Sequence, residues 1–380
     1  MQRIANPSMP VRFRLRPPFF HMIQVLTLSD FRNHESSRVK TGDAKAIVIT
    51  GPNGSGKTSI LEAISMFSGT GTMRGATPSE IARIGGQGGF GVVAELSDGT
   101  NLSVSWSAGD AHRRARVDGD SAPLSVLSAH LRMIWVTPRE DRLFTDPASD
   151  RRAFFDRLVA AFDPAHAGRV ARLSKLLSER AFALKSGGGA DWLEPIESQI
   201  AGTAVSVAAA RIKYVGEINY FLSGYRVSIS GMLEEGLSRV ALASSVEKEY
   251  AEYLASERVL VADKMTANGA HRSDFGMISQ DLNMPVGQTS TGQQKSALLA
   301  LILAHAKLVK AKTGARPLIL LDEAAAHLDS SARAAFFVEL ADADAQVWAT
   351  GIEPELFTGV AGAVFIGCKS GQIVCNMDMI

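Results

Sequence analysis

Eight residues at 51–58, GPNGSGKT, have the types and spacing of a loop that wraps a phosphate chain. The pattern G-x-x-x-x-G-K-[ST] is complete. Glycines let the backbone turn successive N–H groups inward at phosphate oxygens, and the helix that follows adds partial positive charge at its start. Lys57 would bridge the β- and γ-phosphates, and the Thr58 hydroxyl would ligate Mg²⁺. Gly51, Pro52, Asn53, Gly54, Ser55, Gly56 and Ser59 would line the rest of the seat. These residues predict binding of a nucleoside triphosphate.

A second chemical pair lies far along the chain. Asp322 and Glu323 close the apolar run LILL. An isolated acid pair of this kind is usually a solvated strand end. At the C-terminal tip of a buried parallel strand it sits where open α/β sheets bind ligands. In combination with the phosphate loop, Asp322 suits Mg²⁺ coordination. Glu323 would act on the water that attacks the γ-phosphate, as general base or as its positioner. The pair therefore points to hydrolysis, with Lys57, Asp322 and Glu323 as catalytic candidates. His327 and Asp329, in AHLD, follow directly.

A third stretch, STGQQKSALL at 290–299, reads locally as a helix start. Ser290 caps, Gln293 reaches back, and an apolar run follows. Gly292 is out of place in a first turn, which it weakens.

The elements needed to position these residues are visible in the pattern. AIVIT at 46–50 is a short β-branched run suited to a strand buried on both faces, and SILEAISMFS continues the loop as a helix. PLILLDE and QVWATG predict two more buried strands. IQVLTLSDFRNH predicts a strand that ends at a turn around Phe31, Arg32 and Asn33. Alternation over 89–117 predicts an antiparallel meander, and AVFIGCKSGQIVCNM a closing hairpin. Residues 151–264 read as long helices broken by a turn at KSGGGADW. The expected organisation is a disordered extension (1–21), an N-terminal half of the head (22–136), a helical lobe (137–264) and a C-terminal half (265–380).

Composition bounds the function. The chain has 380 residues, is 46% hydrophobic and 21% charged, and carries a net charge of +1, so no global basic field recruits nucleic acid. Cys368 and Cys375, without metal-ligand company, read as core filler in a reduced compartment. No apolar run is long enough to span a bilayer. The first 21 residues carry four arginines and no acid but lack an apolar signal segment. They read as an extension preceding Met22, where translation could equally begin. A cytoplasmic protein is expected.

The order of these motifs resembles the ABC-type ATPase heads of the SMC and Rad50 group. The interval from Thr58 to Ser290 is too short for a coiled-coil arm and longer than in a transporter cassette. The chain is most similar to the RecF family of bacterial recombination mediators. The likeness lies in LSDFRN (28–33), the TP…LF…P…DRRAFFD segment (137–156), GAHRSDF (269–275), STGQQKSALLALILAHAKL and LLDEAAAHLD. It covers roughly residues 23–370 and implies an α/β fold: a P-loop ATPase head with an antiparallel β subdomain and an inserted helical lobe.

The resemblance implies further roles. Two copies would close around two ATPs, each with Mg²⁺, between one copy's loop and the other's signature helix. Ser290, Gly292 and Gln293 would meet the γ-phosphate held by the partner copy, with the first-turn N–H groups left accessible, and Asp329 would cross the same interface. Arg32 would reach the phosphates, although it could equally be a surface charge closing a strand. Arg139 stands where the family has an acid or amide, leaving Glu140 and Asp141 as candidates for sensing the γ-phosphate. Duplex DNA beside single-strand gaps would be the substrate surface, with RecR, RecO and RecA as partners. Arg113, Arg114 and Arg116 beside His112, and Arg151 with Arg152, could contact DNA phosphates or serve as ordinary surface charge. Two other classes compete: an energising subunit of a transporter, whose coupling pattern is absent, and an ATP-gated nuclease, for which no acidic metal site follows the ATPase half.

Overall fold

The computed structural model describes residues 21–69, 71–239, 242–258, 268–323, 330–357, 360 and 362–377. Its strands, in chain order, are β1 (Ile23–Phe31), β2 (His34–Lys40), β3 (Ala46–Thr50), β4 (Gly89–Leu96), β5 (Asn101–Ser107), β6 (Arg114–Val117), β7 (Asp120–Ala122) and β8 (Met133–Val136). They continue with β9 (Tyr225–Ser230), β10 (Asp274–Ser279), β11 (Met284–Pro285), β12 (Leu318–Asp322), β13 (Gln346–Gly351), β14 (Ala363–Lys369) and β15 (Gln372–Met377). The helices are α1 (Lys57–Ser65), α2 (Pro78–Ile81), α3 (Leu124–His130), α4 (Ala148–Ala160), α5 (His166–Lys185), α6 (Ala190–Ile218), α7 (Met232–Arg239), α8 (Ala243–Ser256), α9 (Thr291–Thr313) and α10 (Ser330–Asp342).

The central sheet has the order β15-β14-β3-β13-β12-β8 and is parallel except for β15. Its inner strands β3, β12 and β13 are largely apolar because both faces are covered. Side chains alternate between two cores: Ile47, Ile49, Leu318, Leu320, Trp135 and Trp348 point to one, and Val48, Ile319, Leu321, Ile134, Val136 and Val347 to the other. On the first face α1 is enclosed between this sheet and the antiparallel sheet β2-β1-β4-β5-β6-β7. On the second face α9 is buried nearly all round, packing Leu298, Leu301 and Ile302 with Phe154, Phe155 and Tyr214. A third core, formed by Leu176, Ile200, Val205, Val246, Tyr250 and Leu254, holds α5, α6, α7 and α8 together.

The expected helical stretch contains a strand. β9 pairs with β10, beyond residue 264, and β10 with β11, forming a three-stranded sheet. Only Val227 is fully buried on β9, with Ile229 partly so, while Arg226, Ser228 and Ser230 are exposed. The alternation YRVSIS is that of a half-buried strand, but it spans only six residues between helical stretches. The turn at 186–189 does join two helices, α5 and α6. Among the described residues no helix is long and apolar enough to cross a membrane.

Candidate functional site

Parallel pairing aligns three strand ends at one edge of the central sheet. Asp322 of β12 lies level with Thr350 of β13, and Thr350 with Ile49 of β3, one residue before the strand's end. The loop leaving β3 and the acids leaving β12 are thus separated by the width of one strand. This is the carboxyl edge at which α/β sheets take ligands.

The loop is built for close approach of a backbone-bound anion. Gly51, Gly54 and Gly56 all have positive φ (150°, 77° and 108°). A Cβ at Gly51 would lie 2.2 Å from the Cys368 carbonyl oxygen, and one at Gly56 2.6 Å from His34 Nε2. Helix α1 starts at Gly56 with no side-chain cap and no acid in its first turn, so its leading N–H groups are left for a ligand. Among the described residues the buried Ser55 hydroxyl has no partner. Lys57 Nζ donates to the carbonyls of Gly51 (2.7 Å) and Pro52 (3.0 Å), folded over the loop's own oxygens. Pro52, Asn53 and Gly54 are exposed, whereas Ser59 is buried behind the loop.

Two elements support this loop from outside the motif. His34, wholly buried at the start of β2, donates through Nε2 to the Gly56 carbonyl (3.1 Å) and places Nδ1 2.8 Å from Ser37 Oγ. Burial holds its pKa below the ordinary histidine value. The β14–β15 hairpin contributes the Gly371 N–H of its turn and the Cys368 thiol of β14, both donated to the Ser55 carbonyl at 2.8 and 3.1 Å. Burial pushes the Cys368 pKa up, as expected of a packing thiol.

The acids meet the loop directly. Thr58 Oγ1 donates to Asp322 Oδ1 at 2.9 Å, and Thr350 Oγ1 donates to the same oxygen at 2.7 Å. The Glu323 N–H donates to Thr350 Oγ1 at 3.1 Å, and Glu323 has φ 53°. A hydroxyl and a carboxylate this close form a hard-oxygen pair that fits Mg²⁺, which takes few protein ligands and completes its shell with phosphates and water. The described residues hold no group of three or more His, Cys, Asp or Glu suited to a metal. His327 and Asp329 lie outside the described residues.

The remaining candidates are elsewhere. Ser290 caps α9 by accepting the Gln293 N–H (3.3 Å), and Gln293 Oε1 accepts the Ser290 N–H (3.0 Å). The capping box therefore consumes one of the N–H groups expected to stay accessible, leaving those of Thr291 and Gly292. Residues 290–293 are exposed, and a Cβ at Gly292 would meet nothing within 4 Å. Neither packing among the described residues nor a positive φ demands that glycine.

Arg32 is engaged with α1 and with the segment around Glu80. Its guanidinium forms a fork on Glu62 of α1 (2.8 and 2.7 Å) and donates to the Glu80 carbonyl (2.7 Å). Glu140 is buried, accepts from the Thr137 N–H and hydroxyl, and pairs with Arg157 (3.2 Å). Asp141 instead pairs with Lys295 of α9 (3.3 Å). Of the basic candidates, Arg151 is held by Asp274 and Arg152 by the Ser273 carbonyl. Arg114 pairs with Asp110, while His112 and Arg116 are exposed.

Sequence reasoning assigned no role to Thr350, His34 or the Gly371 turn. The one local signal was a hydroxyl residue closing the apolar run VWA.

The family model for the RecF/RecN/SMC N terminal domain matches residues 22–373. This chain belongs to the RecF family. The DNA replication and repair protein RecF of Mesorhizobium japonicum is 38% identical over 372 residues, covering 92% of this chain and 97% of that protein. Its counterpart in Brucella suis biovar 1 is 36% identical over 368 residues, covering 92% and 95%. Among solved structures, the recombination mediator protein RecF-ATP of the RecFOR pathway superposes with a TM-score of 0.79 at 20% identity, covering 93% of this chain and 99% of that one. The Smc head domain from Pyrococcus furiosus, bound to the C-terminal domain of ScpA, gives 0.51 at 13% identity, covering 93% and 96%. The RecF-family fold here is thus that of an ABC-type ATPase head.

Proposed function

We propose that this chain is an ATP-dependent DNA-binding protein of recombinational repair, acting in the cytoplasm on gapped and duplex DNA. Lys57 and the first N–H groups of α1 would bind the β- and γ-phosphates. Thr58 and Asp322 would hold Mg²⁺, which supplies charge neutralisation on the phosphates when bound. Glu323 would direct the attacking water, and hydrolysis would be slow and stimulated by DNA, timing release. Two copies would enclose each ATP between the loop of one and Ser290, Gly292 and Gln293 of the other, with Asp329 at the same interface. RecR, RecO and RecA are the expected partners in filling single-strand gaps. The division at 136/137 and 264/265 into head halves and lobe is part of this reading.

The observation that carries the shared site is the exposed start of α9. Its glycine has open space in front of it, and the hydrogen bonds of Ser290 and Gln293 close on each other through side chain and backbone N–H. The test separates binding from closure. Lys57→Ala is expected to lose nucleotide binding. Ser290→Arg is expected to bind ATP but stay monomeric where the wild type dimerises, as read by sedimentation velocity with and without ATP. A Ser290→Arg protein that dimerises normally with ATP refutes the shared site. Cleavage of labelled gapped DNA with Mg²⁺ refutes the repair-clamp reading.

A further inference from the structure

The end of β13 carries no phosphate-loop or acid motif, yet it touches both acids of the neighbouring strand. Thr350 is 1% exposed. A carboxylate oxygen only accepts and an amide N–H only donates, so the directions around Thr350 Oγ1 are fixed. It donates to Asp322 Oδ1 (2.7 Å) and accepts from the Glu323 N–H (3.1 Å). Only a hydroxyl can do both from a side chain of this size.

The second hydroxyl on Asp322 Oδ1 belongs to Thr58. Thr58 is the residue expected to turn to the metal when a nucleotide binds, which would remove one of the two donors holding that oxygen. Thr350 has no such competing role, so its hydrogen bond would persist and keep the carboxylate in place. Glu323 leaves the strand with φ 53°, a left-handed conformation that a residue with a side chain seldom adopts. Its N–H bond to Thr350 helps hold that geometry, and with it the direction in which the side chain departs.

We propose that Thr350 is a positioning residue for ATP hydrolysis, setting the place of the metal-holding Asp322 and the backbone of the water-directing Glu323 through one hydroxyl. This inference rests on the roles given above to those two acids.

The experiment compares wild type with Thr350→Val, which keeps the shape, and Thr350→Ser, which keeps the hydroxyl. ADP affinity is measured by titration calorimetry with and without Mg²⁺, and steady-state ATPase kinetics at saturating Mg²⁺. Thr350→Val should bind ADP without Mg²⁺ within about twofold of wild type while its kcat falls on the order of 10- to 100-fold with KM little changed. Its Mg²⁺-dependent gain in ADP affinity should largely disappear. Thr350→Ser should recover both readouts to within about threefold. If Thr350→Val retains wild-type kcat and Mg²⁺ dependence, the inference fails. It fails equally if Thr350→Ser is as impaired as Thr350→Val, since packing rather than the hydroxyl would then be responsible. A wild type that binds ATP without hydrolysing it overturns the functional reading of the acids, and this inference with it.

Discussion

Replacing Arg32 by alanine tests how the antiparallel sheet is joined to the helix that carries the phosphate loop. The guanidinium makes two charge-assisted bonds to Glu62 and one to the Glu80 carbonyl. The Glu62 side chain is 0% exposed and that of Arg32 22%, so water cannot take over the lost partner at the carboxylate. Stripping one member from a buried pair costs about 3–5 kcal/mol, and the partial exposure of Arg32 places this case near ~3 kcal/mol. Unfolding entropy of about 2.1 cal/mol/K per residue amounts to about 0.8 kcal/mol per kelvin for a chain of this length. Arg32→Ala should therefore melt about 4 °C below wild type. Adding Glu62→Gln removes the stranded charge and should return about half of that loss. Calorimetry on the four proteins of the cycle gives the coupling, and nucleotide affinity on the same four separates two roles for Arg32. If it only organises α1, affinity recovers with stability in the double variant. If it touches the phosphates, affinity stays low while stability returns. An Arg32→Ala protein melting within about 1 °C of wild type would refute the claim that this pair is a buried structural link.

Three further substitutions have definite expected outcomes. Gly51→Ala would put a Cβ 2.2 Å from the Cys368 carbonyl in a backbone with φ 150°, and is expected to lower nucleotide affinity at least about tenfold. Gly54→Ala, at φ 77° with no atom within 4 Å, should cost only about 1–2 kcal/mol of stability, so equal effects of the two in a thermal-shift and nucleotide-titration series would contradict the loop geometry. His305 is fully buried against Tyr214 (3.2 Å), and burial depresses its pKa from 6.5 to about 3. The unfolded chain then binds the extra proton between those values, so stability falls as pH drops from 6.5 toward 3, with a slope approaching about 1.4 kcal/mol per pH unit. His305→Asn should flatten that slope in urea titrations run at several pH values, and an unchanged slope would show that other groups govern the acid limit.

The parts of the molecule legible in the string are those whose physics is local. The β3 and β12 runs are continuous apolar segments because both faces are covered, and such runs announce buried strands without any knowledge of their neighbours. The phosphate loop is legible because its glycines answer local backbone demands at 51, 54 and 56. The capping box at Ser290 and Gln293 is equally local, and the structure contains it. Strand β9 carries the alternation of a half-buried strand in Tyr225, Val227 and Ile229, but over only six residues set between helical stretches, so the longer helical pattern around it dominates the reading. The pairing of Arg32 was hidden for a different reason: its partner Glu62 lies on another element, and nothing near the arginine says that a buried carboxylate waits there. Arg151 repeats the case, with Asp274 more than a hundred positions away.

Thr350 shows the limit most clearly. Its contact with Asp322 exists because β13 lies between β3 and β12 and pairs in parallel with Thr350 level with Asp322. A slip of one residue would set Ala349 or Gly351 there instead, and neither has a hydroxyl. It would also turn Trp348 and Val347 into each other's cores, since neighbours on a strand face opposite ways. The large indole is wholly buried on the side facing α1, so packing of Trp348 supports the register that brings the Thr350 hydroxyl to the carboxylate. The site's chemistry thus depends on a side chain two residues away from the one that performs the contact. That dependence belongs to the sheet, and no motif around Thr350 could have carried it.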